Sequence, residues 1–414
     1  GTITDLDGNF KINGKVGTTI TVSYVGYAPL EVKITKLTGN RFVMKEDSKT
    51  LDEVVVVGMG TQKRNTITAA VATVNADAIA TRPVTDVTSA LQGNVAGLNF
   101  ASDASESGTG GEVGGEIKFN IRGIGSINGG EPYVLVDGVE QSLQNVNPAD
   151  IESISVLKDA SAAAVYGARA AYGVVLVTTK SGKQDKARVT YRGSVGMSAP
   201  INMPEMMNSV EFANYKNAYR SAIGESPYFS QETYGEGLLG ITANQENTGW
   251  RGGESQYANT DWFDYFYKNK SLRHSHNLSI SGGSDKVTYY VGLGYTYQGG
   301  LLDRVEDSLD KYNVNTKFQI KPNDWLKFNF NNNITLNLIS RPLPDMSILY
   351  HQIARSQPNM VTEVPISGLY NLPSWNEALY LDNVGYSQNR ISDAMTFAAT
   401  VTPLKGWDII GEMK

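Results

Sequence analysis

In the stretch Leu326-Lys327-Phe328-Asn329-Phe330-Asn331-Asn332-Asn333-Ile334-Thr335-Leu336-Asn337-Leu338, Leu326, Phe328, Phe330, Ile334, Leu336 and Leu338 fall on one face of a strand. Lys327, Asn329, Asn331, Asn333 and Asn337 fall on the other. Side chains alternate across a β-strand with a period of two, so this is a strand with one apolar and one polar face. Alternation over roughly ten positions is the length and dyad of a strand that crosses a bilayer. The same phase recurs in Tyr312, Val314, Phe318 and Ile320 against Asn313, Asn315, Lys317 and Gln319. It recurs again in Val287 to Tyr297, in His274 to Ile280 and in Val189 to Met197, and further strands are expected around Phe397 and Trp407.

The connections between these strands alternate in length. Residues 199–272 are long, 282–286 short, 299–310 longer, Lys321-Pro322-Asn323-Asp324 a tight turn, 339–394 long and Pro403-Leu404-Lys405-Gly406 short. Outer-membrane barrels join their strands by short turns on one side and long loops on the other, whereas a soluble sandwich has no reason to do so. About seven strands are expected, an odd number with an unpaired edge, so the segment is expected to end in mid-barrel.

Composition closes off other classes. There are no cysteines, which excludes a disulfide scaffold, a thiolate metal site and cysteine nucleophily. A net charge of −6 offers no basic stripe for a nucleic acid. No 18-residue apolar run is present, so no helix can span a membrane, and a membrane role requires a barrel.

Upstream, residues 1–46 read as a small all-β module, with Thr19 to Tyr24 alternating between Gly14, Gly17, Gly26 and Pro29. Residues 47–65 read as a charged linker leading to the β-branched run Val54-Val55-Val56-Val57, which the following Gly58 and Gly60 leave free at both ends. Residues 66–182 read as a compact α+β domain, with strands Tyr133–Val136 and Val174–Val177, an Ala-rich helix over 160–166 and a Gly-rich loop over 107–115. Residues 183–414 hold the long strands.

Several runs resemble one family. Leu51-Asp52-Glu53-Val54-Val55-Val56-Val57-Gly58-Met59-Gly60 looks like the TonB-box region of SusC/RagA-type TonB-dependent transporters, with Met59 where tyrosine is most expected. Asn120-Ile121-Arg122-Gly123 followed by Ser126-Ile127-Asn128-Gly129-Gly130 resembles the arginine-glycine motif of their plug, and Val136-Asp137-Gly138-Val139 the plug strand after it. The densest likeness runs from Asp150-Ile151-Glu152-Ser153-Ile154 through Tyr166-Gly167-Ala168-Arg169 to Thr178-Thr179-Lys180, with Tyr172 where the family usually has asparagine. Asn277 to Gly283 extends it into the barrel, and Asp7-Gly8-Asn9-Phe10 is similar to a carboxypeptidase-regulatory-like domain.

The resemblance implies a mainly β protein: a small β-sandwich, an α+β plug and the first strands of an antiparallel barrel of about 22 strands when complete. It implies TonB-dependent import of an oligosaccharide or oligopeptide across the outer membrane of a Gram-negative bacterium, and no enzyme activity. The partners implied are TonB with its inner-membrane motor, a SusD-like surface lipoprotein closing over the mouth, and outer-membrane lipid. The N-terminal domain and the plug base would face the periplasm. Asp52, Glu53, Val54, Val55, Val56, Val57 and Gly58 become the TonB-box candidates, whose bland alternative is an ordinary strand of the first module. Arg122 becomes a candidate plug-to-wall ion pair for gating, with Asp159 and Arg169 as candidate ion-pair members. A siderophore or cobalamin receptor is the rival reading within transport, and a secreted glycan-binding protein or carboxypeptidase the rival outside it.

Other features have plainer readings. Asp5, Asp7 and Asn9 mimic the start of a calcium loop, but Val16 stands where the closing glutamate is required, so a turn is expected. His274 and His276 share a strand face without a third ligand nearby, so no metal site is expected, and no cofactor. Trp262 and its aromatic neighbours suit a membrane-interface girdle or loop packing, with sugar stacking as the functional alternative. Asn329 and Asn331 make a polar lumen wall and, with Trp262, are the ligand-binding candidates.

Overall fold

The computed structural model describes residues 2, 4–5, 9–12, 15–23, 30–36, 38–44, 54–57, 60–63, 71–75, 79, 87–101, 113–115, 117–121, 123, 130–158, 164–201, 203–227, 259–342, 346–359, 385–404 and 406–414. The chain divides into two units, Gly1–Thr68 and Ala69–Lys414.

In the first unit β1 (Thr19–Val22) pairs antiparallel with β2 (Leu30–Lys33). The Asp5 carboxylate accepts from the Asn9 backbone N–H at 2.7 Å and from its side-chain amide at 3.1 Å, while residues 6–8, the middle of the expected turn, lie outside the described residues. The Val54–Val57 strand, β3, is not free on both sides. It forms a hairpin with β4 (Gly60–Lys63), Val55 opposite Gln62 and Val57 opposite Gly60. Four β-branched residues take a strand partner within reach, and here it is β4.

The second unit opens with the α+β domain. Its sheet has the order β5-β10-β11-β8-β9, built from Val71–Asn75, Ile151–Leu157, Val174–Thr179, Tyr133–Val136 and Val139–Glu140. β11 runs parallel to β8, as a crossover requires, and antiparallel to β10. Val74, Val136, Ile151, Ile154, Val156, Val175 and Val177 bury one face against the short helix α1 (Val87–Leu91). A second pair, β6 (Leu98–Ala101) and β7 (Lys118–Ile121), adds Leu98, Phe100, Phe119 and Ile121 to that core. Of the helix expected over 160–166, residues 160–163 lie outside the described residues. The described part is a 3-10 segment, Ala164–Ala170, broken at Gly167, whose φ of 69° and ψ of −152° no helix admits. Gly167 and Gly173, both at positive φ, turn the chain between this segment and β11.

Seven antiparallel strands follow in chain order: β12 (Arg188–Ser198), β13 (Ser271–Gly283), β14 (Val287–Gly299), β15 (Ser308–Asn323), β16 (Leu326–Pro342), β17 (Gly385–Leu404) and β18 (Trp407–Met413). Each expected strand is present, as is the short-long rhythm of connections. Burial along them is the reverse of a soluble sheet. Val195 is 74% exposed and Tyr191, Met197, Leu293, Tyr312 and Ile391 are exposed too, while Lys311, Asn313 and Asn315 are each 4% exposed. The apolar residues point outward, and the polar face is buried against the plug sheet.

Two further aspects of the wall depart from a plain lipid face. His274 and His276 lie outward in an aromatic ladder, His274 stacked on Tyr297 and His276 accepting or donating a 2.7 Å hydrogen bond with the Tyr191 hydroxyl. Asn332 and Asp393 pair at 3.1 Å on the same outer face. At the long-loop end, α3 (Trp262–Phe266) and α4 (Met346–Arg355) pack Trp262, Phe263, Phe266, Leu302, Leu349 and Ile353 into a core of their own. Helix α2 (Ser209–Ala222) stands beside them, started by an Asn208–Glu211 capping box.

Candidate functional site

The part of the α+β domain that meets the wall is residues 142–150, two short 3-10 turns. The Ser142 side chain accepts from the Gln144 N–H and opens the first; Asn147 accepts from Ala149 and opens the second, with Pro148 at its first position. Such short turns leave backbone carbonyls without partners of their own, and the inward polar face of the wall supplies donors. Lys311 donates to the Gln144 carbonyl. Thr335 donates to the Asn145 carbonyl at 2.6 Å and receives a hydrogen bond from Asn313 at 2.7 Å. The Asn147 amide donates to Asn277 at 2.7 Å, and the Tyr290 hydroxyl donates to Asp150 at 2.6 Å.

Other links flank this seam. Lys317 from β15 reaches Asp137 at 2.8 Å and the Thr179 carbonyl at 2.8 Å. That aspartate, with a φ of 49° at the β8–β9 turn, also takes the Thr179 N–H at 3.0 Å. Arg341 donates through two nitrogens to the Val113 carbonyl, at 2.8 and 3.1 Å.

Close approach is made possible by glycine. A Cβ on Gly292 would lie 2.4 Å from the Asp150 carboxylate, and one on Gly294 would lie 2.3 Å from the Asn147 amide. Two alternate inward positions of β14 are therefore notched to admit the second turn. Burial pushes the Asp150 carboxyl above its ordinary value, against the opposing pull of the Tyr290 hydrogen bond and of the charges on Lys180 and Lys317.

The expected site residues fall in different places. Asp52, Glu53 and Gly58 lie outside the described residues, as do Arg122 and Asp159. Val54, Val55, Val56 and Val57 are the β3 strand of the hairpin. Arg169 does form an ion pair, with Glu140 at 2.7 Å, but both are well exposed and both belong to the α+β domain, so this pair does not bridge to the wall. The bridging pair is Lys317 with Asp137, whose side chains are 12% and 17% exposed. Asn329 and Asn331 lie half-buried on the inward face of β16, opposite Gln319 and Lys317.

Trp262 is corrected as a ligand-binding candidate. It is 3% exposed, stacked on Phe266, and its indole N–H is used by the Gln357 carbonyl at 2.8 Å, so it offers no free face to a sugar. Among the described residues no group of histidine, aspartate and glutamate could hold a metal. The seam residues Asn147, Asp150, Tyr290 and Lys311 were not singled out by the sequence. The available signal was lysine, at 311 and 317, on faces otherwise filled by asparagine and threonine.

Comparison with known proteins agrees with this architecture. Residues 63–174 match the TonB-dependent receptor plug domain, and residues 1–56 match the CarboxypepD_reg-like domain. The latter match extends into β3, and so into the stretch read as a TonB box. The TonB-dependent receptor SusC of Bacteroides thetaiotaomicron is 34% identical over 77% of this chain and 31% of its own length. TonB-dependent receptor P26 of Formosa agariphila is 34% identical over 80% of this chain and 31% of its own. The chain thus spans about a third of the length of these curated relatives. Among solved structures, the RagAB peptide importer in its open-open state superposes with a TM-score of 0.68 at 27% identity, covering 87% of this chain and 42% of that one.

Proposed function

The chain is of the SusC/RagA type of TonB-dependent transporter, and on that premise we propose that the whole protein imports an oligosaccharide or oligopeptide across the outer membrane. The wall strands would line the bore, the plug would close it, and a surface lipoprotein of the SusD kind would cover the long-loop end. The short-turn end and the N-terminal unit would face the periplasm.

The observation that carries this reading is the reversed burial of the wall, with apolar side chains outward and a polar face gripping the plug. A plug so held blocks a path until work is done on it. Binding energy released at the surface cannot by itself move cargo uphill, so the work must enter through a tether. Asp52 to Gly58 would serve as one. An extended peptide adds to the edge of a partner sheet through main-chain hydrogen bonds, a mode that tolerates Met59. The β3–β4 hairpin does not prevent this, since a two-stranded hairpin is marginal in water and β3 keeps one open edge among the described residues. The next described element along the chain is β5, an edge strand of the plug sheet, so a pull would reach the plug at a strand paired on one side.

Deleting Asp52 to Gly58 from the complete protein is expected to abolish growth on the cargo while surface binding of that cargo persists. Uptake at the undeleted rate would sink the mechanism. Recovery of a surface lipoprotein on purification from the native membrane would support the lid, and its absence would remove it.

A further inference from the structure

We propose that the crevice between the plug and β12–β14, at the short-turn end of the wall, is a binding site for carboxylate or sulfate groups on an oligomeric cargo. Its volume is about 390 Å³. Five cationic side chains line it, Lys180, Lys183, Lys186, Arg188 and Arg192, against three acidic ones, Asp150, Glu152 and Asp185. Such a balance is unexpected in a chain whose net charge is −6.

Two of the acids and one of the cations already have partners. Asp150 already accepts from Tyr290, and Asp185 accepts from the Lys186 backbone N–H at 2.7 Å. Lys180 donates to the Ala149 carbonyl. Among the described residues, the heads of Lys183, Lys186, Arg188 and Arg192 make no hydrogen bond or ion pair. Arg188 and Arg192 sit on the inward face of β12, while Lys183 and Lys186 sit on the link that enters it, so two elements present charge to one space.

Like charges held together repel unless an anion lies among them. Arginine adds a planar fork that matches a carboxylate or sulfate in two hydrogen bonds. Thr190, Ser279 and Ser281 contribute hydroxyls to the same lining, suited to the uncharged parts of a sugar chain. This assignment rests on the import reading and names a class of cargo for it. The crevice would hold acidic groups as they leave the plug on the inner side.

The test uses the complete protein in detergent, with a fluorophore on Ser281→Cys and with tetragalacturonate, maltotetraose and inorganic phosphate as probes. Tetragalacturonate is expected to move the signal, with affinity that falls as salt rises. Arg188→Gln/Arg192→Gln is expected to weaken it by about tenfold or more. Lys183→Gln/Lys186→Gln, which leaves the strands untouched, should do likewise and guards against a folding defect in the arginine pair. Maltotetraose binding as tightly as tetragalacturonate would overturn the proposal, as would either double variant binding normally. Inorganic phosphate binding as tightly as the tetramer would make the crevice a site for a free anion or a lipid headgroup, and would overturn the cargo assignment. Because TonB takes no part in the measurement, failure here and failure of import are separate results.

Discussion

Gly292 and Gly294 show how much of the plug's seating depends on single atoms. Each stands on the inward face of β14 where a methyl group would overlap a side chain of the second 3-10 turn. Gly292→Ala in the complete protein is therefore expected to cost about 1 to 3 kcal/mol through forced displacement of Asp150. The measurement is thermal unfolding followed by loss of the compact band on a gel run without boiling. Asp150 makes a second prediction at the same scale. Its carboxyl in the folded protein titrates above the ordinary 3.8 because burial disfavours the charge. The stability tied to the neutral form is thus complete below that ordinary value and is lost as pH rises through the raised one. Asp150→Asn, which keeps an oxygen for the Tyr290 hydroxyl, should remove this fall. Calorimetry of both proteins across that window, with equal pH slopes, would refute the assignment.

At the scale of elements, the hairpin of β3 and β4 is the part whose two roles conflict, because the strand proposed to pair with TonB is already paired with Gly60–Lys63. Val55→Cys/Gln62→Cys, a facing pair in a chain that contains no other cysteine among its 414 residues, would tie the hairpin shut under oxidation. Uptake should fall on oxidation and recover with a reductant; uptake indifferent to the tie would mean that β3 need not leave β4. The elements also show what was legible in advance. The wall strands were readable because a bilayer outside and water or protein inside impose a period of two on every strand, and Tyr312 to Ile320 and Leu326 to Leu338 keep it with little interruption. The seam was not readable, since Asn313 or Lys311 on a polar face serves equally against water or against the Asn145 and Gln144 carbonyls of the plug. The kink at Gly167 was not legible either, because propensity is a local quantity and this backbone turn belongs to the connection between β10 and β11. Of the two readings of Trp262, packing and sugar stacking, the fold takes packing: Trp262 lies in a core with Phe263, Phe266, Leu302, Leu349 and Ile353.

At the scale of the whole molecule, the plug and the wall are one continuous chain joined by the short link that runs from Lys180 to Arg188, pinned at Gly283, whose N–H donates to the Asp185 carbonyl at 3.0 Å. Eight residues span at most about 27 Å when fully drawn out. A plug pulled from its N-terminal side therefore remains leashed to the foot of β12, however far β5 is drawn away. Cutting the link at a protease site inserted among residues 183–187 of the assembled protein should leave the plug in place at rest, since the seam still holds it, but let it depart once TonB pulls. Cells carrying the cut protein should then become sensitive to a large antibiotic such as vancomycin only when TonB is present; sensitivity without TonB, or none with it, would show that the link does not limit plug travel. In the intact chain the consequence is one of girth. On the proposed import reading the plug would stay tied to the wall throughout, cargo would slip past a door that stays on its post, and the breadth carried would be capped by the slot beside the plug and not by the diameter of the barrel.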